Sequence, residues 1–322
     1  MNKYKLNIVS VLKNSLRIYI RKIISKLPES LRSFEYSSAL RKYDKRAGNY
    51  VKTYQESLKE EVIVDGIIDG YPKRVFMKEA YHKHLNWLSS EIKNLGTSNS
   101  SLLEVGAGEF TTLIPVAQLI NDTSLEIHAS ELSWSRCRVG IDFAKSLGVE
   151  ISSITSASVL ALPYPDNCFD IVYTHCCLEE LGGYEKEALE ELIRITNRDL
   201  ILIEASYELG SKIQKTKLFN RRWNVNLFSA AKNLGHKLIK HELTPYWVDQ
   251  GHHASIIHIK KLTGESKSPY KLVCPETKND LEKDERFYFC KTTGIAYPIL
   301  QGVPIFLKNN GIVASKYLDF DR

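Results

Sequence analysis

The stretch SLLEVGAGEFTT, residues 101–112, reads as a short apolar strand, a glycine turn and the start of a helix. Leu102 and Leu103 supply the buried strand, Glu104 closes it, and the apolar-periodic run from Phe110 to Ile120 continues as the helix. Gly106 and Gly108 lack a Cβ, so the turn can take positive φ and let a ligand lie against backbone amides at the helix start. The dinucleotide fingerprint wants a third glycine three residues later, and this chain has Thr111 there. A nucleotide-like ligand and a plain strand-to-helix connection are both open from this stretch alone.

The chain downstream favours the ligand. After the strand-like run Leu125 to Ser130 comes Glu131, where an α/β nucleotide site usually sets a carboxylate on ribose hydroxyls. Ser158 to Asp170 then reads SVLALPYPDNCFD and runs into the apolar IVYTHC. Strands are expected near 101–106, 125–131, 149–155, 169–175 and 199–205, with helices near 110–120, 134–147, 184–195 and 220–234. Such alternation predicts an α/β fold with a parallel sheet and helices on both faces. Ligands of such sheets bind outside the carboxyl ends of the strands, which points to Glu104, Glu131, Ser158, His175 and Glu204 to Tyr207.

On the words LLEVGAGEF (102–110), ELS (131–133), LPYPDNCFDIVYTHCCLEEL (162–181) and LILIE (200–204), the sequence resembles the class I S-adenosylmethionine-dependent methyltransferases, in particular the ubiquinone-biosynthesis-like group. The likeness runs over residues 100–262. It implies a Rossmann-like class I methyltransferase fold, a mostly parallel seven-stranded sheet whose last strand is antiparallel, with S-adenosyl-L-methionine as cofactor. Glu104 would then support the methionine amino group, and Gly106, Ala107 and Gly108 would admit the cofactor. Glu131, followed by Leu132, would take the ribose hydroxyls. Where the family often meets the adenine amino group with Asp or Asn, this chain has Ser158 and then Val159. His175 would lie near the methionine tail or the substrate.

The resemblance also gives the connection PYWVDQGHH a place. With Lys237 to Thr244 and an antiparallel Ala254 to Leu262 on either side, it falls on the cofactor edge, so Tyr246, Trp247, His252 and His253 would rim the substrate pocket. His175, His252 and His253 are thus candidates to take a proton from an acceptor as it is methylated. The plainer reading makes each a turn residue bonded to backbone or water.

The 322 residues suffice for one substantial domain and a smaller one, and the net charge of +6 is mild for that length. It permits an anionic substrate or membrane surface without demanding nucleic acid. Six cysteines, at 137, 168, 176, 177, 274 and 290, form no regular framework and read as free thiols of a cytoplasmic protein. Within residues 1–71, Ile8, Leu12, Leu16, Ile20, Ile23 and Leu27 recur at helical spacing beside the basic stripe Lys13, Arg17 and Arg21. Peripheral membrane contact through residues 3–27 is one reading, and packing on the domain or a partner subunit is the other. The following segment, with Tyr36, Tyr43, Tyr50 and Tyr54, is either an active-site cap or a solvated connector. Pro72 precedes an expected helix over 73–95, which opens the methyltransferase domain at 72–264.

A second domain is expected over 265–322. LVCPETKNDL (272–281) and AYPILQGVPIFL (296–307) resemble the small zinc-ribbon-derived activator subunits of methyltransferases. A metal-binding version would carry two CxxC pairs, whereas Cys274 is followed by Thr277 and Cys290 by Thr293. No metal is expected; instead a small β-rich module should dock through Val303 to Leu307. The sequence reads as a cytoplasmic methyltransferase of a small molecule, a lipid-linked intermediate or a glycan component. An RNA or protein methyltransferase and a noncatalytic cofactor-binding scaffold stand as alternatives. No long basic cluster interleaved with aromatics supports nucleic acid.

Overall fold

The computed structural model describes residues 36–59, 61–221, 223–262 and 266–319. The basic stripe of residues 3–27 lies outside the described residues. The central strands are β3 (Ser101–Val105), β4 (Glu126–Glu131), β5 (Ser153–Ala157), β6 (Phe169–His175) and β7 (Thr196–Ala205). They pair in parallel in the order β5-β4-β3-β6-β7. On the β7 side, β9 (Ala254–Lys260) is antiparallel to β7 and carries β8 (Lys237–Leu243) at the edge. This is the Rossmann-like class I methyltransferase fold, with its antiparallel last strand.

Burial on both sides explains why the central strands are apolar without strict alternation. Leu103, Val172 and Leu202 face one core, shared with Leu189 and Leu192 of the Glu185–Ile195 helix. Leu102, Ile171 and Ile201 face the other, shared with Leu88 of the Met77–Lys93 helix and Ile114 of the Leu113–Ile120 helix. The Trp134–Ser146 helix starts where the Ser133 hydroxyl accepts a hydrogen bond from the Arg136 amide at 3.2 Å.

Three boundaries differ from the sequence-based expectation. The helix expected from Lys73 begins at Met77, because β1 (Ile63–Ile68) and β2 (Tyr71–Phe76) form an antiparallel hairpin that absorbs residues 71–76. Pro72 is tolerated there because this hairpin stands apart from the main sheet. The helix expected over 220–234 is two pieces, Lys212–Arg221 and Leu227–Lys232. Between them the Asn224 amide turns aside to bond the Glu179 carbonyl at 3.0 Å. Strand β5 starts at Ser153, after the Ser152 amide joins Ile127.

The C-terminal segment continues the same sheet. Strand β13 (Val303–Phe306) pairs in parallel with β5, Ile305 opposite Ser156 and Phe306 opposite Ala157. Strands β10 (Glu282–Lys283), β11 (Phe287–Cys290) and β12 (Ile295–Leu300) extend it antiparallel, with β14 (Ile312–Val313) on β12. Cys274 and Cys290 are buried free thiols, 3.7 Å from the Tyr297 hydroxyl and 3.8 Å from the Thr277 hydroxyl respectively. Among the described residues, no group of three or more His, Cys, Asp or Glu could hold a metal ion, and no helix is long and apolar enough to cross a membrane.

Candidate active site

The carboxyl ends of β3, β4, β5 and β6 open on a cavity of about 320 Å³. Glu104, Gly106, Ala107, Gly108, Glu131, Leu132, Ser158, Val159 and His175 all line it. The local chain explains this convergence. Gly106 and Gly108 take φ of 74° and 60°, and the amides of Gly106 and Ala107 bond the Ser130 carbonyl, so the turn folds over the end of β4. A Cβ on Gly106 would stand 2.2 Å from the Cys177 sulfur, which leaves room there for glycine alone.

Phe110 also adopts a positive φ, 62°, uncommon for a bulky residue. It is held because its ring packs against Gly140, where a Cβ would meet it at 2.4 Å. The close helix packing that a third turn glycine would permit is thus supplied from the Trp134–Ser146 helix.

Two carboxylates dominate the electrostatics. Glu104 is buried; the Tyr173 hydroxyl donates to it at 2.8 Å, and among the described residues it makes no ion pair. Burial, only partly offset by Tyr173, pushes its carboxyl up to about 8. Glu131 accepts from the amides of Gly108 at 2.9 Å and Ser133 at 3.0 Å, one on each oxygen. Because each carboxylate oxygen has further lone-pair capacity, it can still receive hydroxyl donors. Ser158 uses its hydroxyl to accept from the Leu160 amide at 3.3 Å, closing its own turn.

The segment before the first hairpin closes the cavity. Tyr43 and Tyr50 line it, while Tyr54 packs edge-on against Tyr81 and Phe143. The cap is tied to the glycine turn by Glu109, which accepts from the amides of Gly48 at 2.9 Å and Val51 at 2.7 Å. Asp44 accepts from the Ser133 hydroxyl at 2.8 Å, and Lys42 pairs with Glu180. Arg136 lies in the middle, 3.6 Å from Glu131 and 3.9 Å from Glu109, its guanidinium 4.3 Å from the Tyr50 ring centre.

The three histidines separate. His175 is in the cavity wall, with its Nε2 2.9 Å from Nε2 of His84. His252 and His253 are not among the residues that line the cavity. His252 Nε2 lies 2.9 Å from Glu179, and His253 turns its ring to the Thr244 carbonyl at 2.7 Å. From the same connection Trp247 and Val248 do reach the cavity, because Trp247 exchanges backbone hydrogen bonds with Ile67 of the hairpin. Tyr246 instead donates its hydroxyl to Asp69.

Sequence reasoning missed His84, Arg136, Glu109 and Tyr173. His84 sits four residues from both Ala80 and Leu88 on an apolar helix stripe, and a histidine in such a stripe is the signal that could have found it. Arg136 had only its place in the first turn after Glu131.

The residues present suit S-adenosylmethionine. A buried carboxyl lifted for want of a counter-charge suits an ammonium, and a buried carboxylate with spare acceptor capacity suits vicinal hydroxyls. Glycine backbone beside them suits close approach of the ligand.

Residues 103–203 match the family model described as a methyltransferase domain. Demethylmenaquinone methyltransferase from Anoxybacillus flavithermus is 24% identical over 144 residues, which is 44% of this chain and 60% of that protein. The chain therefore spans less than two thirds of that curated relative. Among solved structures, the 4+2 cyclase SpnF has a TM-score of 0.53 at 17% identity, over 70% of this chain and 96% of that one. A protein described as a sarcosine dimethylglycine methyltransferase, from Galdieria sulphuraria, has 0.50 at 14% identity, over 66% and 98%. These likenesses to solved structures speak for the fold. The family match and the fold agree: residues 103–203 match a methyltransferase domain, within a Rossmann-like class I methyltransferase fold.

Proposed function

We propose that the protein transfers a methyl group from S-adenosylmethionine to a small-molecule, lipid-linked or glycan-type acceptor. The observation that carries this reading is the meeting of Glu104, Glu131 and the Gly106–Gly108 turn in one capped cavity. Bound there, the cofactor supplies an electrophilic methyl group. Glu104 would hold its ammonium, and Glu131 its ribose hydroxyls. The chain's remaining task is to align the acceptor and exclude water, which can lower the barrier by ~7 to 11 kcal/mol. Tyr43, Tyr50, Trp247 and Val248 form the wall that keeps water out. The aromatic character of that wall supports an acceptor with apolar or ring surface, and the demethylmenaquinone relative supports the small-molecule reading.

The experiment is a transfer assay with methyl-labelled S-adenosylmethionine against three acceptor panels: hydroxylated rings and lipid extracts, glycans, and tRNA with protein. Label in the first or second supports the proposal, and label confined to tRNA or protein replaces it with the macromolecular reading. Binding of the cofactor with label in none supports the scaffold reading.

A further inference from the structure

The Lys212–Arg221 helix presents a basic surface that the cofactor cavity does not use. It reads KIQKTKLFNR, with Lys212, Lys215, Lys217 and Arg221 and no acidic residue. Its inner face is fixed. Leu218 is buried, and the Gln214 amide donates to the carbonyls of Ser206 at 2.8 Å and His253 at 2.7 Å, while its oxygen accepts from the His253 backbone amide at 2.8 Å. The outer face is open: Ile213 is 79% exposed, Leu209 just before the helix is 40% exposed, and Lys212 and Arg221 are exposed too.

Other helices offset their surface bases with acids one turn away: Lys83 with Glu79, Arg138 with Asp142 and Lys186 with Glu190. This helix does not. At its margin Glu208 is half-buried, and Asp249 accepts from the Gly251 amide at 2.8 Å. The helix follows β7 and so stands at the carboxyl end of the parallel strands, joined through Gln214 to the connection that sends Trp247 and Val248 into the cavity. At the same end the cap carries a second basic group, Arg41, Lys45 and Arg46, all exposed, around the cavity residue Tyr43. In sequence the cap follows the basic stripe of residues 3–27. Positive charge is thus gathered on the edge where the cavity opens.

We propose that the outer face of the Lys212–Arg221 helix is a docking surface for an anionic phospholipid bilayer, with the cavity edge of the sheet turned toward the membrane. The negative surface potential of the bilayer attracts the lysines and the arginine, whose long stems lie along the interface while their charges stay among the headgroups. Ile213 and Leu209 enter the boundary between headgroups and acyl chains, where an exposed aliphatic side chain leaves water. Aliphatic tips also favour lipid over RNA, whose bases stack on exposed rings. Trp223, next along the chain, is half-buried, with the Arg221 guanidinium 4.8 Å from its ring centre. The docking goes beyond the methyl-transfer reading and does not depend on it.

The test is co-sedimentation of the full chain with vesicles of phosphatidylcholine alone and of phosphatidylcholine with phosphatidylserine in equal parts, at physiological salt. The native protein should bind the mixed vesicles and not the neutral ones. K212E/R221E should lower that affinity at least about tenfold, because two attractive charges become repulsive. I213D should lower it as well; all three substituted side chains are exposed, so both variants should keep the native circular dichroism. No binding of the native protein to the mixed vesicles would overturn the proposal without needing any variant to fold. Equal binding to both kinds of vesicle, or native affinity in folded K212E/R221E, would do the same, the second even where residues 3–27 bind lipid themselves. Binding to tRNA with none to the mixed vesicles would put nucleic acid in place of the bilayer.

Discussion

Glu104 and Tyr173 stand directly opposite each other across the β3–β6 ladder, and the tyrosine hydroxyl donates to the carboxyl at 2.8 Å. The cross-strand pair puts a polar contact inside the sheet, where Glu104 lines the cavity. A group raised by burial has a consequence for stability. Glu104 is lifted from 4.5 to about 8, so the folded chain holds this proton more tightly than the unfolded chain. Its stabilising contribution is complete below about pH 4.5 and is lost as pH rises through about 8. Buried Glu204, also about 8, behaves the same way. Thermal unfolding without cofactor should therefore show stability falling between pH 6.5 and 8, by on the order of 2 kcal/mol per carboxyl at most. E104Q should flatten that slope; an unchanged slope would contradict the assignment.

The same carboxyl predicts a proton signature for binding. At pH 7 Glu104 is mostly protonated, and an incoming ammonium ionises it. Calorimetry of S-adenosylhomocysteine binding in buffers of different ionisation heat should show release of close to one proton. E104Q should bind more weakly and release none. Equal proton counts in both proteins would place the ammonium elsewhere.

Gly106 and Gly148 separate crowding from backbone strain. Both have positive φ, 74° and 66°, but a Cβ on Gly148 meets nothing within 4 Å. G148A should cost ~1 to 2 kcal/mol from the left-handed backbone alone. G106A adds the collision with Cys177 and distorts the turn, so it should cost more and weaken cofactor binding at least about tenfold. Similar unfolding and binding for the two variants would show that the turn tolerates side chains.

Phe306 tests whether the C-terminal strands share one cooperative unit with the methyltransferase core. It is 1% exposed, packs beside Tyr297 and Tyr288, and pairs with Ala157. F306A should cost ~3 to 5 kcal/mol and lower a single unfolding transition. Two transitions, with the larger one unmoved, would show that the shared sheet is not a shared folding unit.

The strand, turn and helix at 101–120 were legible because period, glycines and a closing acid all point one way there. The antiparallel last strand was legible only through the family likeness. The β1–β2 hairpin was not read, although Asp69 and Gly70 make a two-residue turn with positive φ at both positions, because TyrProLysArg at 71–74 is polar and carries a proline. Of the proposed site, residues that follow a strand directly, such as Glu131 and His175, could be placed by topology. His84 offered only its place in an apolar helix stripe and Arg136 only its place after Glu131, because helix side chains reach the cavity through packing angles that topology does not specify. The same limit applies to His252 and His253, whose connection reaches the cavity through Trp247 and Val248 instead.

The most direct measurement is titration of the purified protein with S-adenosylhomocysteine, native against E131A, with the fold of each checked by circular dichroism. One saturable site in the native protein, weakened at least about tenfold in folded E131A, is the predicted result. Absence of binding by the native protein, or equal affinity in E131A, would contradict a cofactor held between Glu104 and Glu131.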